Sequence, residues 1–238
     1  MKLDLLVIAA HPDDAELACS GTIANEISKG KKAGIIDLTM GEMGTRGTPE
    51  LRLQEAEAAA EVLKLSVREN MKFKDASFQN DEEHQLKLIQ KIRKYRPDII
   101  ITNAVSDRHP DHPMGSELTV TSCFKAGLAK IETRDGDEIQ EAWRPIVIYH
   151  FIQSIFIQPD IVVDVSDQWE TKLASIKAYK SQFYDPESNE PETYISSPEF
   201  MKLIEARGKE FGHSIGVAYG EGFTVDRNMG VKNISDLL

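Results

Sequence analysis

VIAAHPDDAELACSG, residues Val7–Gly21, is the stretch whose reading decides the fold. Its first residues belong to the apolar run LLVIAA (Leu5–Ala10). That run has no polar alternation, so it reads as a strand buried on both faces. From Ala15 onward, Leu17, Ile23 and Ile27 recur at helical spacing, and Gly30 is a natural stop. A buried strand running straight into a helix opens a βαβ unit. At the junction stand one imidazole, His11, and two carboxylates, Asp13 and Asp14.

Working outward, the rhythm repeats. AGIIDLT (Ala33–Thr39) is a second strand and PELRLQEAEAAAEVLKL (Pro49–Leu65) a strong helix, capped by Thr48 with Pro49 in its first turn. ENMKFKD (Glu69–Asp75) gives a third strand and Asp81–Tyr95 a third helix. PDIIITN (Pro97–Asn103) is again a buried strand, and Pro113–Ala129 a fourth helix. The expectation is an α/β fold: a Rossmann-like, mostly parallel sheet with helices on both faces and a site at the carboxyl ends of the strands. The second half is less regular. Ile146–Phe151 and Asp160–Val165 read as strands, Gln168–Phe183 and Glu199–Gly212 as helices, and Tyr184–Pro198 as a polar loop. A short segment ending in AYGEGF follows the last helix. The loop could be a lid with Tyr194 as its aromatic contact, although a solvated connector is the commoner use of such a composition. No repeat or linker interrupts the chain, so residues 1–238 are read as a single domain.

Composition removes several function classes. Lys and Arg number 28 against 39 Asp and Glu, a formal net charge of -11. That argues against nucleic acid and anionic membranes as partners, since both reward basic residues. An anionic small molecule stays open, because a local Arg cluster can outweigh a distant negative surface. Cys19 and Cys123 lie far apart and make no C-x-x-C, which fits a reducing compartment. The apolar run at the N-terminus is too short for a membrane span and lacks a signal-peptide pattern, so a cytoplasmic location is expected.

A second cluster, SDRHPDHP (Ser106–Pro113), follows the strand DIIIT as HPDD follows the first. Both therefore fall on one edge of the sheet, where open α/β folds bind ligands. His11, Asp14 and His112 could supply two imidazoles and a carboxylate to a metal with a position left open for water, the catalytic pattern for zinc. Asp13 could then accept the water's proton, and a His109–Asp111 pair could stabilise an oxyanion or protonate a leaving amine. The plain alternative is that Asp13 or Asp14 caps the helix and that the histidines are structural. Convergence of two clusters on one edge favours the site. His84, His150 and His213 are read as surface or core residues.

With HPDDAE at the first strand, HPDH at the second cluster, YKSQF and the late AYGEGF, the sequence resembles the PIG-L/LmbE-like zinc-dependent N-acetylglucosaminyl deacetylases from residue 3 to about 225. The family's first motif is HPDDE; here one residue is inserted, and Glu16 is given no role. The resemblance implies Zn2+, with Fe2+ possible in the cell, held by His11, Asp14 and His112. It further implies Asp13 as general base, and His109 oriented by Asp111 as electrostatic stabiliser and acid. GEMGTRGTPELR (Gly41–Arg52) most resembles the bacillithiol-biosynthesis enzymes that deacetylate N-acetylglucosaminyl malate. Arginine suits malate's two carboxylates, which makes Arg46, Arg52 and Arg108 candidate substrate contacts. The alternative for Arg52 is a surface pair with Glu55. A homo-oligomer, often a hexamer in such proteins, is implied as well.

Rival readings are a deacetylase or amidase of another N-acetylglucosaminyl conjugate and, in a different class, a non-haem iron oxygenase using a two-His, one-carboxylate triad. The oxygenase triad is usually carried by an all-β scaffold, which this chain is not. A nucleotide-binding Rossmann domain lacks its G-x-G-x-x-G here. A metal-binding protein without catalysis would not need Asp13 or the His109–Asp111 pair.

Overall fold

The computed structural model describes residues 1–237. The first half alternates strictly: β1 (Leu5–Ala9), α1 (Asp14–Ser28), β2 (Ala33–Thr39), α2 (Pro49–Leu63), β3 (Val67–Phe73), α3 (Glu82–Tyr95), β4 (Ile99–Thr102) and α4 (Asp111–Ala126). A small hairpin of β5 (Arg134–Asp135) and β6 (Glu138–Ile139) precedes β7 (Val147–Phe151), β8 (Ile161–Asp164), α5 (Trp169–Lys177), α6 (Pro198–Ser214) and β9 (Gly220–Val225). The main sheet has the order β3-β2-β1-β4-β7-β9-β8. Strands β3 through β7 in that order pair in parallel, while β9 lies antiparallel between β7 and β8. The expected architecture, mostly parallel with helices on both faces, is the observed one.

The unbroken apolarity of β1 has its reason in the two layers it separates. Leu6 and Ile8 pack with Leu88, Ile89 and Ile92 of α3 and Leu118 of α4. Leu5, Val7 and Ala9 face the opposite way, against Ala15, Cys19 and Ile23 of α1. With alternate residues buried on both faces, no position of the strand tolerates a polar side chain. On α2, the Thr48 Oγ1 accepts from the Leu51 N–H at 3.2 Å, as its cap position requires. Such a cap contributes about 1 kcal/mol.

Several boundaries differ from the sequence reading. Helix α4 begins at Asp111 rather than Pro113, so Asp111 and His112 stand in its first turn. Helix α5 stops at Lys177, and Tyr179–Phe183 continue as turns that pack against α2 and α6. The segment after α6, to which the sequence reading assigned no element, forms β9. Its glycines hide it from a pattern search, yet they are what the packing demands. A Cβ on Gly220 would come within 2.9 Å of the Gly212 backbone, and one on Gly222 within 2.8 Å of the Phe211 ring. β9 and α6 thus touch where a side chain would separate them.

The strand order reverses between β1 and β4, which leave neighbouring ends and send their helices to opposite faces. That switch point is where open α/β sheets form a ligand crevice. Both histidine clusters open into it.

Candidate metal centre

Asp14 opens α1 and joins the two clusters. One carboxylate oxygen lies 3.4 Å from His11 Nδ1 and the other 3.3 Å from His112 Nε2. The same carboxylate accepts from the His11 N–H at 3.0 Å, Asn103 Nδ2 at 3.1 Å and Gln153 Nε2 at 2.6 Å. Each imidazole turns its remaining nitrogen to another acid. His112 Nδ1 sits 2.7 Å from Asp107, and His11 Nε2 is 3.1 Å from Asp75 and 3.3 Å from Asp111. One nitrogen facing a shared point and the other held by a carboxylate is how metal-ligating histidines are oriented. Buried imidazole and carboxylate donors suit a divalent metal. His109 also brings a ring nitrogen within 4.8 Å of those of His11 and His112, and His11, Asp75 and Asp111 converge within the same limit.

The protonation states follow from this crowding. Burial alone would lower the His11 pKa, but hydrogen bonds with Asp111, Asp14 and Asp75 raise it well above its ordinary value. For His112, burial is likewise overcome by the Asp14 charge and the Asp107 hydrogen bond, and the pKa is pushed up to about 9. Asp14 is held well below the usual carboxylate range because the neighbouring imidazoles outweigh its burial. Without a metal, the pocket balances its carboxylates with two imidazolium ions. A metal bound here would displace those protons.

Asp13 does not cap the helix. It adopts φ 105°, ψ -27°, and its side chain makes no cap hydrogen bond. A left-handed non-glycine residue costs of order 1 kcal/mol or more and persists where the surroundings enforce it. Here the carboxylate is turned to Arg52, whose Nη2 donates to it at 2.5 Å. Burial raises the Asp13 pKa to about 6, with the Arg52 charge opposing and the Asp14 charge adding. Arg52 is buried and pairs with neither Glu55 nor a surface acid; Glu55 accepts from Ser181 instead. Its guanidinium, which the sequence reading assigned to a substrate carboxylate, is charge-paired with Asp13 in the cavity wall.

The His109–Asp111 side-chain pair expected from the sequence is not formed. Starting the helix at Asp111 turns its carboxylate to His11 and to the Ala76 N–H at 2.9 Å. Only the Asp111 backbone N–H reaches His109, donating to Nδ1 at 3.3 Å. With Nδ1 accepting, the proton of the neutral ring belongs on Nε2. Burial, then the charges of His11 and His112, lower the His109 pKa, so it is neutral near pH 7. Its ring stacks on that of His112, with centroids 5.1 Å apart.

The cluster opens into a cavity of about 370 Å³ whose wall includes His11, Asp13, Asp14, His109 and His112. Arg46, Arg52 and Arg108 reach the same wall. Arg46 Nε donates to the Ser181 carbonyl at 3.0 Å and its Nη2 to Ser188 Oγ at 2.9 Å, so it ties down the 181–190 segment. Arg108 is exposed, with its guanidinium 4.4 Å from the Tyr194 ring centroid and no carboxylate partner among the described residues. His150 is buried against Ser116 Oγ at 2.8 Å, while His84 pairs with Asp81 and His213 is exposed; none of these lines the cavity. Glu16 is buried under the site on Arg68, at 2.5 Å.

Sequence reasoning missed Asp75, Asp107, Asn103 and Gln153. Asp75 and Asn103 carried a readable signal, since each follows the end of a parallel strand on the site's edge. Asp107 stood inside the second cluster without a role. Gln153, beyond β7, gave no signal.

Residues 6–123 match the model of the PIG-L family, described as GlcNAc-PI de-N-acetylase. A diacetylchitobiose deacetylase from Thermococcus kodakarensis is 30% identical over 75% of this chain and 70% of its own length. A 4-oxalmesaconate hydratase from Pseudomonas putida is 25% identical over 74% of this chain and 73% of its own. The crystal structure of a conserved protein from Thermus thermophilus superposes with a TM-score of 0.86 at 34% identity. The match covers 96% of this chain and 97% of that one.

Proposed function

We propose, from the premise that this chain belongs to the PIG-L family of de-N-acetylases, that it is a metal-dependent deacetylase of N-acetylglucosaminides. The observation that carries the reading is the Asp14 carboxylate set between His11 and His112, with Asp13 beside it in the cavity wall. The chemistry those donors suit is hydrolytic. Zinc is the metal we infer, with iron its alternative on the same ligands. When held by His11, Asp14 and His112, the metal lowers the pKa of a water and polarises the acyl carbonyl.

The chain's own residues do the rest. Asp13, kept ionised by Arg52 near neutral pH, takes a proton from the attacking water. The water oxygen bonds to the acyl carbon, and His109 donates its Nε2–H to the carbonyl oxygen as negative charge develops there. The C–N bond then breaks, the proton passes from Asp13 to the departing amine, and acetate and the free-amine glucosaminide leave. Asn103 and Gln153 hold Asp14 throughout.

The finer reading is that the aglycone is malate, as in bacillithiol biosynthesis. It rests on the Gly41–Arg52 motif and on Arg108, the arginine whose guanidinium is left without an anion at the cavity mouth. The diacetylchitobiose deacetylase among the relatives supports a neutral disaccharide as the alternative. The hydratase relative supports a hydration on the same scaffold as the second reading. The reading also takes the chain as one cytoplasmic domain acting in a homo-oligomer. Among the described residues no helix is long and apolar enough to cross a membrane.

The test is free-amine release from N-acetylglucosaminyl malate, diacetylchitobiose and N-acetylglucosamine, by metal-stripped and zinc-restored enzyme. Zinc-dependent release sustains the deacetylase, and preference for the malate conjugate sustains the aglycone. Arg108→Ala should then raise KM for the malate conjugate about tenfold, as expected for loss of a charge-assisted contact, and leave the neutral substrates within twofold. An equal effect on all three removes Arg108 from malate recognition. No amine from any substrate, with turnover of an unsaturated dicarboxylate, would replace the deacetylase by the hydratase.

A further inference from the structure

Beyond the metal cluster, the cavity changes character. Its far wall is one stripe of α6, made of Phe200, Leu203, Ile204, Gly208 and Phe211, with Arg207 at its edge. Positions 0, +3, +4, +8 and +11 face one way on a helix, and eleven residues advance roughly 16 Å along its axis. Opposite stand Leu17 and Ile152. Leu17 lies one turn along α1 from Asp13 and Asp14, so the apolar wall starts beside the reacting centre.

We propose that this wall is an acyl-chain subsite, and that the enzyme hydrolyses N-acyl glucosaminides whose acyl group is longer than acetyl. The proposal rests on the deacetylase reading of the metal centre. Acetyl, with a single methyl group, is too short to reach along this wall to Leu203, although Phe200 and Phe211 are largely covered by the protein's own packing. Leu203 stays 38% exposed although it faces the cavity, so apolar surface there is uncovered in the protein alone. The wall's polar groups are already matched. Lys172 Nζ is 2.6 Å from Glu221 and donates to the Leu17 carbonyl at 2.8 Å. Glu221 accepts from Gly21 N–H, Thr22 N–H and Thr22 Oγ1 at 3.0, 2.7 and 2.7 Å. Arg207 donates to the Gln153 carbonyl at 3.2 Å. Among the described residues, no buried polar atom lacking a partner belongs to this wall.

A pyranose with its hydroxyls finds no unmatched partners along α6. It finds Thr45, Arg108 and His109 elsewhere in the cavity wall, with the exposed Arg108 at the mouth. With the sugar at the mouth and the amide at the metal ligands, the acyl chain runs along α6. The reaction is ordinary amide hydrolysis. Water's oxygen bonds to the acyl carbon, the C–N bond breaks, the nitrogen takes water's proton, and a fatty carboxylate leaves with glucosamine.

The experiment compares zinc-loaded enzyme on N-acetyl-, N-butyryl- and N-hexanoylglucosamine, and on octyl N-acetylglucosaminide, by release of the free amine. Burial of each added methylene is expected to raise kcat/KM about three- to fourfold, so hexanoyl, four methylenes longer, should exceed acetyl by about 10²-fold when all four are buried and by about tenfold when two are. Hexanoyl equal to or slower than acetyl overturns the proposal and leaves the deacetylase standing. A gain for the octyl glycoside alone overturns the acyl assignment, because the wall then holds the aglycone. No release from any substrate, acetyl included, overturns the parent reading and this one with it. Leu203→Trp and Ile204→Trp, each checked for folding by circular dichroism, should lower the hexanoyl-to-acetyl ratio at least fivefold. An unchanged ratio in a folded variant counts against the subsite.

Discussion

At the scale of single residues, adjacent aspartates of one motif take opposite parts. Asp14 sits between two imidazoles and is held well below the usual carboxylate range; Asp13 faces an arginine and, buried, is pushed up to about 6. The first suits a permanent ligand, the second a group that accepts and returns a proton near neutrality. Asp13→Ala should therefore keep the metal, measured by elemental analysis after gel filtration, and lose kcat by about 10²- to 10⁴-fold. His112→Ala should lose the metal itself. Equal metal loss in both would falsify this division. The residue types were legible in HPDD and HPDH, because few other chemistries need such a mixture. Partners such as Arg52 for Asp13 were not, since they follow from a backbone turned left-handed at φ 105°.

Among the elements, α1 opens on Asp14, and beneath it lies a buried charge network. Arg68 of β3 donates to Glu16 at 2.5 Å and to both oxygens of Asp37 at 2.9 and 3.0 Å, while Tyr179 Oη donates to Glu16 at 3.2 Å. The network ties α1 to β2, β3 and the turn after α5. Arg68→Met keeps the length of the side chain and strands two buried carboxylates. It should cost about 3–5 kcal/mol, read as a fall in the urea midpoint at unchanged slope. A loss under about 1 kcal/mol, the surface-pair range, would show that water reaches the network. The sequence showed β1, β2 and β4 because two-sided burial leaves an unbroken apolar run. It concealed β9, whose GEGFTV carries a buried carboxylate and two glycines demanded by α6. It displaced the start of α4 because HPDH reads as a loop until its Asp and His are seen in a first helical turn.

For the whole molecule, the proposed metal site acts as a clasp across the switch point. His11 and Asp111, which contact each other there, are 100 residues apart in the chain. In the metal-free protein the clasp is made of protons. The folded His112 pKa, about 9, lies above the unfolded value near 6.5, and His11 is raised in the same direction. A raised imidazole stabilises the fold while protonated. That contribution is complete below about pH 6.5 and is lost as pH rises through about 9. Asp13 works in a lower window, losing stability as pH rises from near 4 through about 6, so it does not intrude between 7 and 9. Metal binding runs the other way, because its ligands must shed those protons, and it stabilises the fold by mass action. The Tm of metal-stripped protein should therefore fall from pH 7 to pH 9, and its gap below the protein at fixed free zinc should widen. The gap is the decisive quantity. The -11 net charge grows more negative with pH in both forms, and that effect cancels in the difference. A gap that stays constant or narrows across this window would mean that His11 and His112 are neutral in the metal-free fold. The metal would then be closing a clasp that its absence leaves open.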